Sequence, residues 1–210
     1  MFSAFQRETL WSISIKNLTT AEGGAVSSIH PELLLKARRF SRQGLIRNKD
    51  EFQIKTEGAW HQEVHDFGLN YRLPDVLCAL GISQIARIEQ FKHSRAKLFK
   101  KYCERLMHVE KLELPSTRQY VEPMWHLFPI HVEPSERGRI FEQLRMTNIG
   151  AQVNYMPAHW HPAFKQPQAF RNKFPASNEF YSSEISLPMH TEITDEDFEF
   201  IIENLGVTIA

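Results

Sequence analysis

Two cysteines, Cys78 and Cys103, are all the thiol this 210-residue chain carries. Both fall in one stretch of helical periodicity, and far apart along it. A disulfide needs Cα atoms within about 7 Å, so the two cannot be bridged within that helix. Neither belongs to a Cys-x-x-Cys pair, which leaves no redox motif and makes a reducing cytoplasm the expected setting. A charge excess is also missing. Lys and Arg number 25, Asp and Glu 25, so there is no electrostatic case for nucleic acid or an acidic membrane as partner. The basic residues between 95 and 101 spread along a helix and read as a solvated face. No uncharged apolar run approaches the roughly 20 residues that span a bilayer, and residues 1–10 lack the apolar segment of a secretory signal. Internal repeats and low-complexity tracts are absent too.

What the chain does have is a lysine in an unusual place. Trp11, Ile13 and Ile15 alternate with Ser12 and Ser14, the pattern of a strand with one buried face. Lys16 stands where that strand stops. Gly23 and Gly24 supply a turn or a close backbone approach, and Ala25-Val26 reads as the start of the next strand. A lysine fixed at the end of a buried strand is a candidate for a depressed pKa and imine chemistry, because only the unprotonated amine attacks a carbonyl carbon. By position alone, a solvent-facing lysine in a hairpin turn is the commoner outcome.

The run from Lys16 to Val26, Lys-Asn-Leu-Thr-Thr-Ala-Glu-Gly-Gly-Ala-Val, resembles the lysine motif of the DegT-type sugar aminotransferases, a group of fold-type I pyridoxal phosphate enzymes. Two further stretches agree in order and spacing. Gly68-Leu69-Asn70-Tyr71-Arg72-Leu73-Pro74-Asp75, leading into a helix through Ala79-Leu80-Gly81, is similar to the family's Gly-x-Asn-Tyr-Arg segment. Gln152-Val153-Asn154-Tyr155-Met156-Pro157 and Ser186-Leu187-Pro188 resemble its C-terminal motifs. The resemblance covers residue 13 to the C-terminus.

That resemblance implies an α/β fold, a portion of the large domain of a pyridoxal phosphate transferase joined by a long helix to a small α+β C-terminal domain. It implies pyridoxal phosphate as cofactor, Lys16 as the residue bonded to it, and Asn70 as a donor reaching across a homodimer to the partner's cofactor phosphate. Tyr71 and Arg72 are supporting residues. Trp125, His126, Tyr155, His159 and His161 are implied on the substrate side, against a sugar nucleotide. The implied reaction moves an amino group from an amino acid such as glutamate to a keto sugar nucleotide, for surface polysaccharide or amino sugar synthesis. Family members carry a large N-terminal half before the lysine, with the phosphate-cradling loop, a stacking aromatic and an aspartate for the pyridine nitrogen. Here about a dozen residues precede Lys16. Trp11 replaces the family's serine five residues ahead of the lysine, and Ile13 and Ser14 replace a His-Pro pair. The expectation is a C-terminal half behind a leader, served by a separately encoded N-terminal half or left as a truncated, inactive fragment.

Taken in order, residues 1–12 read as that leader, 13–107 as the large-domain portion and 108–210 as the small domain. Pro31-Glu32 opens a helix whose apolar stripe is Leu33, Leu34, Ala37 and Phe40, with Gly44 as its stop. Residues 46–66 show no period, and a loop of that length is either functional or poorly ordered. One long helix is expected from residue 74 to 107, with Val76, Leu77, Leu80, Ile85, Ile88 and Phe91 on its buried face. Residues 127–132 form a strand that Pro129 marks as an edge or irregular one. A helix follows through Ile140, Phe141 and Leu144, then a short strand over 151–155. Thr194 and Asp197 form a capping box before Phe198, Ile201 and Leu205.

Glu22 reads as ordering the lysine turn through its backbone. His126, His131, His159, His161 and His190 suggest a metal, but no cysteine or carboxylate completes a ligand set, so none is expected. A DNA-binding module on residues 74–107 lacks helix-turn-helix spacing and net positive charge.

Overall fold

The computed structural model describes residues 7–11, 17–55, 57–165 and 167–209. They divide into two compact units, residues 1–88 and 89–210.

In the first unit, β1 (Arg7–Trp11) pairs antiparallel with β2 (Gly24–Ser28), in a register that sets Trp11 opposite Gly24. The expected strand at Ala25-Val26 is therefore present. β1 lies within the stretch read as a leader, and residues 12–16 fall outside the described residues. Helix α1 (Pro31–Phe40) begins at its proline, whose missing N–H is one the first turn leaves unpaired anyway. It ends at Phe40. Ser41 N–H returns to Ala37 O, and Gly44, at φ +73°, donates to Arg39 O across 2.8 Å.

The aperiodic stretch 46–66 is ordered, and one carboxylate orders it. β3 (Leu45–Ile46) pairs with β4 (Glu63–Val64). Buried Glu63 accepts from the backbone N–H of Gln53 at 2.8 Å and of Ile54 at 2.7 Å, and from the rings of His61 and His65. Burial opposes its ionisation. The hydrogen bonds from His65, Gln53, His61 and Ile54 outweigh that and hold the carboxyl well below its ordinary range.

The helix expected from 74 to 107 is two helices. α2 (Asp75–Ala86) closes on Arg87, whose φ of −107° and ψ of 6° are not helical, and α3 (Ile88–Leu106) follows. No Gly or Pro marks the break, so the sequence hid it. Much of the expected buried face of α2 is also exposed: Val76 is 73% accessible, Ile85 55% and Leu80 36%, while Leu77 is half-buried.

The second unit is built on a two-stranded antiparallel sheet, β5 (Phe128–His131) with β6 (Glu184–Leu187). Single bridges add Glu113 beside His131 and Gln152 beside Ser186. His131 exchanges both backbone hydrogen bonds with Glu113, so Pro129, two residues away, turns its missing N–H away from β6 and breaks no bond of the pair. Phe128, Ile130, Ile185 and Leu187 share the core with residues of α3, α4 (Arg137–Met146) and α6 (Asp195–Ile209), and α5 (Pro175–Ser183) leads directly into β6. Tyr102 of α3 is fully buried, stacks on Phe128 at 4.6 Å and donates to Pro188 O across 3.0 Å. The expected strand over 151–155 is reduced to the bridge at Gln152. The capping box is present: Asp197 N–H donates to Thr194 Oγ1, and Thr194 N–H to Asp197 Oδ2, both at 3.0 Å. No helix among the described residues is long and apolar enough to cross a membrane.

Candidate active site

Lys16 lies in the connection between β1 and β2, outside the described residues. The chain directly after it is firmly seated. Leu18 and Thr20 are each 4% exposed. Thr20 O accepts from Glu22 N–H at 2.9 Å while Thr20 Oγ1 donates to Glu22 O at 3.1 Å, and Ala21 adopts φ +64° between them. Glu22 thus closes the turn through its backbone, with an exposed side chain. Gly81, the buried residue of α2, faces this turn, and a Cβ there would stand 3.0 Å from Thr20 Cγ2. The absence of a side chain at 81 is what lets the helix approach the lysine-bearing segment. Thr20 and Gly81 both sat inside the quoted motifs, but only their contact shows what they do.

Asn70 is held by its neighbours on both sides. Leu69 N–H donates to Phe40 O at 2.7 Å, Tyr71 N–H donates to Ser41 O at 2.9 Å, and Asn70 itself bridges to Arg42. Its side chain is exposed, and Arg72 Nε donates to Asn70 Oδ1 across 3.0 Å. A guanidinium only donates, so the amide oxygen must face it and the amide N–H₂ points the other way, without a partner among the described residues. That leaves two uncharged donors presented to solvent from a pinned loop, the chemistry a phosphate oxygen accepts.

The five residues implied on the substrate side fall into separate settings of the second unit. Trp125 stacks on Phe99, ring centroids 3.7 Å apart and planes within 9°. His126 beside it is half-buried. Tyr155 is exposed, and His161, also exposed, ends the short 3-10 turn Ala158–Trp160. His159 sits 4.6 Å from the ring of Phe174, and its Nε2 is buried without a hydrogen-bond partner among the described residues, as is Nδ2 of Asn154. Such orphaned atoms are uncommon in a folded chain. Among the described residues no ring contact or hydrogen bond joins Trp125 to His159. The two C-terminal motifs do meet, since Gln152 and Ser186 exchange backbone hydrogen bonds of 3.1 and 2.7 Å.

Sequence reasoning missed Glu184. It is 1% exposed, accepting from Asn154 N–H at 2.8 Å and from Ser186 Oγ at 2.5 Å. Burial pushes its carboxyl up, against those two hydrogen bonds and the charges of His131 and Arg137. A glutamate in a strand otherwise apolar and polar by turns carries no sign of being buried, so only the packing shows it. Of the histidines considered for metal, His131 Nδ1 lies 2.8 Å from Ser183 Oγ. No group of three or more His, Cys, Asp or Glu among the described residues could hold a metal ion.

The fold is that of aminotransferases. PseC of Helicobacter pylori, an aminotransferase involved in the biosynthesis of pseudoaminic acid, matches with a TM-score of 0.82 at 25% identity, over 97% of this chain and 53% of that one. The model of the DegT/DnrJ/EryC1/StrS aminotransferase family matches residues 11–206, and the chain belongs to that family. Among curated relatives, an uncharacterized protein of Methanocaldococcus jannaschii is 30% identical over 87% of this chain and 48% of its own length. The UDP-4-amino-4,6-dideoxy-N-acetyl-beta-L-altrosamine transaminase of Campylobacter jejuni is 29% identical over 91% of this chain and 49% of its own length. The chain spans about half the length of the curated relatives it matches.

Proposed function

We propose that this chain supplies the lysine-bearing and C-terminal part of a pyridoxal phosphate-dependent transaminase that moves an amino group from an amino-acid donor to a keto sugar nucleotide. The observation that carries the reading is the oriented amide of Asn70 within a chain that matches the aminotransferase family over residues 11–206. The residues present fit the cofactor. Lys16 would bond to it, and the free N–H₂ of Asn70 would hold its phosphate. When bound, pyridoxal phosphate supplies the electron sink that stabilises a carbanion at the amino-bearing carbon. Lys16 Nζ would move the proton between that carbon and C4′ of the cofactor, which requires a neutral amine and hence a site that disfavours its charge. The sugar nucleotide is assigned to the second unit, which bears Trp125, His126, Tyr155, His159 and His161, and of these Tyr155 and His161 are exposed to meet it.

The reading includes a homodimer in which Asn70 serves the neighbouring subunit, and a cytoplasmic setting. Support for the dimer comes from the apolar surface around that loop: Phe67 is 100% exposed and Tyr71 71%. Large apolar exposure of this kind marks an interaction face.

The test is the visible absorption spectrum of the purified chain with pyridoxal phosphate, before and after borohydride reduction, beside Lys16→Ala. A band that needs Lys16 and is fixed covalently on reduction supports the reading. A spectrum identical in Lys16→Ala removes it for this chain.

A further inference from the structure

Glu63 and Asn70 stand toward opposite ends of one ribbon of chain in the first unit. Residues 63–71 run antiparallel along residues 40–46. At one end Ile46 pairs with Glu63 and Leu45 with Val64. At the other, Leu69 N–H donates to Phe40 O, Gln43 N–H to Leu69 O and Tyr71 N–H to Ser41 O, across 2.7, 3.1 and 2.9 Å. Asn70 bridges to Arg42 in the same stretch. Between the ends, His65 N–H donates to Gly44 O at 3.3 Å. The two segments also touch backbone to backbone. A Cβ at Gly68 would stand 2.5 Å from Phe40 O and 2.7 Å from Gly44 N, and one at Gly44 would run into Asp66 O.

This ribbon has little of its own to hold its far end. The pairing of β3 with β4 is two residues long, and an isolated two-stranded pair is marginal at best in water. Residues 47–62 join those strands, and the one regular element described among them is the short 3-10 turn Lys49–Glu51. Ordering such a loop costs conformational entropy that a two-residue pairing cannot offset. The Glu63 carboxylate supplies what is missing. Its Oε2 accepts from Gln53 N–H and from the His65 ring, and its Oε1 from Ile54 N–H and the His61 ring. The first pair of contacts is the important one. A single oxygen ties the loop to β4 and grips the residue whose own backbone reaches Gly44.

We propose that Glu63 is a positioning residue for Asn70: by fixing the far end of the ribbon it holds the Asn70 amide in its outward place. The transmission runs through the backbone. β4 sets the register at 63–64, His65 carries it to Gly44, and the close contacts at Gly44 and Gly68 leave no slack before residues 69–71 lie down beside Phe40, Ser41 and Arg42. The cofactor role of Asn70 belongs to the transaminase reading, and the functional part of this inference rests on it. The coupling of the two residues stands on the backbone contacts alone.

The test is amide hydrogen exchange on the full chain, read by NMR, for the parent, Glu63→Ala and the milder Glu63→Gln. The Leu69 and Tyr71 amides touch no atom of the carboxylate. We expect them to lose protection about tenfold or more in Glu63→Ala, and less in Glu63→Gln, while the amides of α2 keep theirs. Loss confined to Gln53 and Ile54 overturns the proposal. So does an equal loss throughout α2 in both variants, which would make Glu63 a stabiliser of the whole unit. A double-mutant cycle then reads function. Glu63→Ala should weaken pyridoxal phosphate binding about tenfold in the parent and leave it unchanged in Asn70→Asp, since a residue acting through Asn70 has nothing left to act on. Equal losses in both backgrounds, or none in the parent, overturn the positioning role. A parent chain that binds no pyridoxal phosphate removes the transaminase reading instead, and the exchange data then decide the coupling by themselves.

Discussion

Arg72 Nε donates to Asn70 Oδ1 across 3.0 Å and thereby fixes which end of the amide faces outward. Asn70→Asp keeps the shape and exchanges the two outward donors for a second acceptor. Because the side chain is exposed, unfolding free energy should move by no more than about 0.5 kcal/mol. Pyridoxal phosphate affinity, followed by absorbance titration, should fall about tenfold or more, because a carboxylate repels the phosphate it replaces a donor for. Unchanged affinity would detach Asn70 from the cofactor.

Glu63 → Gln should lower the melting temperature at neutral pH, since two backbone amides and two histidines depend on that carboxylate. Its folded-state pKa lies below the ordinary value of 4.5. The stabilisation is therefore complete above the pKa of the unfolded chain and is lost as pH falls through the folded value. Melting curves of parent and variant should converge as pH drops below about 4.5. A gap that stays constant down to strong acid would show that charge is not what the cluster uses.

Glu184 predicts the opposite slope. Burial raises its pKa, so the folded state holds a proton that the unfolded state has released. The second unit should lose stability as pH rises through that window, by at most one proton's worth, about 1.4 kcal/mol per pH unit. Glu184→Gln should flatten that slope in urea unfolding measured across the acid range. The slope surviving in the variant would place its origin elsewhere.

Gly44 and Gly81 should respond differently to alanine. Gly44→Ala drives a Cβ into Asp66 O at a positive φ and should cost about 2 kcal/mol or more. At Gly81 the new methyl meets only Thr20 Cγ2 at 3.0 Å, while the helix gains roughly 1 kcal/mol of propensity. A small net change is expected there, read by chemical denaturation.

Where local chemistry decides, the sequence was sufficient. The capping box at Thr194 and Asp197, the proline start of α1 and the strand at 128–131 each depend on residues a few positions apart, and each is present. The ordered motifs likewise carried the family. The long helix failed because its break at Arg87 has no Gly or Pro to announce it. The loop over 46–66 looked unstructured because its order comes from Glu63, whose partners span residues 53–65 and follow no periodic pattern.

The sequence by itself determined the locally capped elements, the family and the residue to test first, Lys16. Tertiary structure alone decided that Gly81 meets Thr20, that Gln152 pairs with Ser186, that Glu184 is buried and that Arg72 joins Arg42 at one cavity. The reason is physical. Periodicity and capping are properties of neighbouring residues, whereas burial and charge clustering arise only when segments tens of residues apart close on each other.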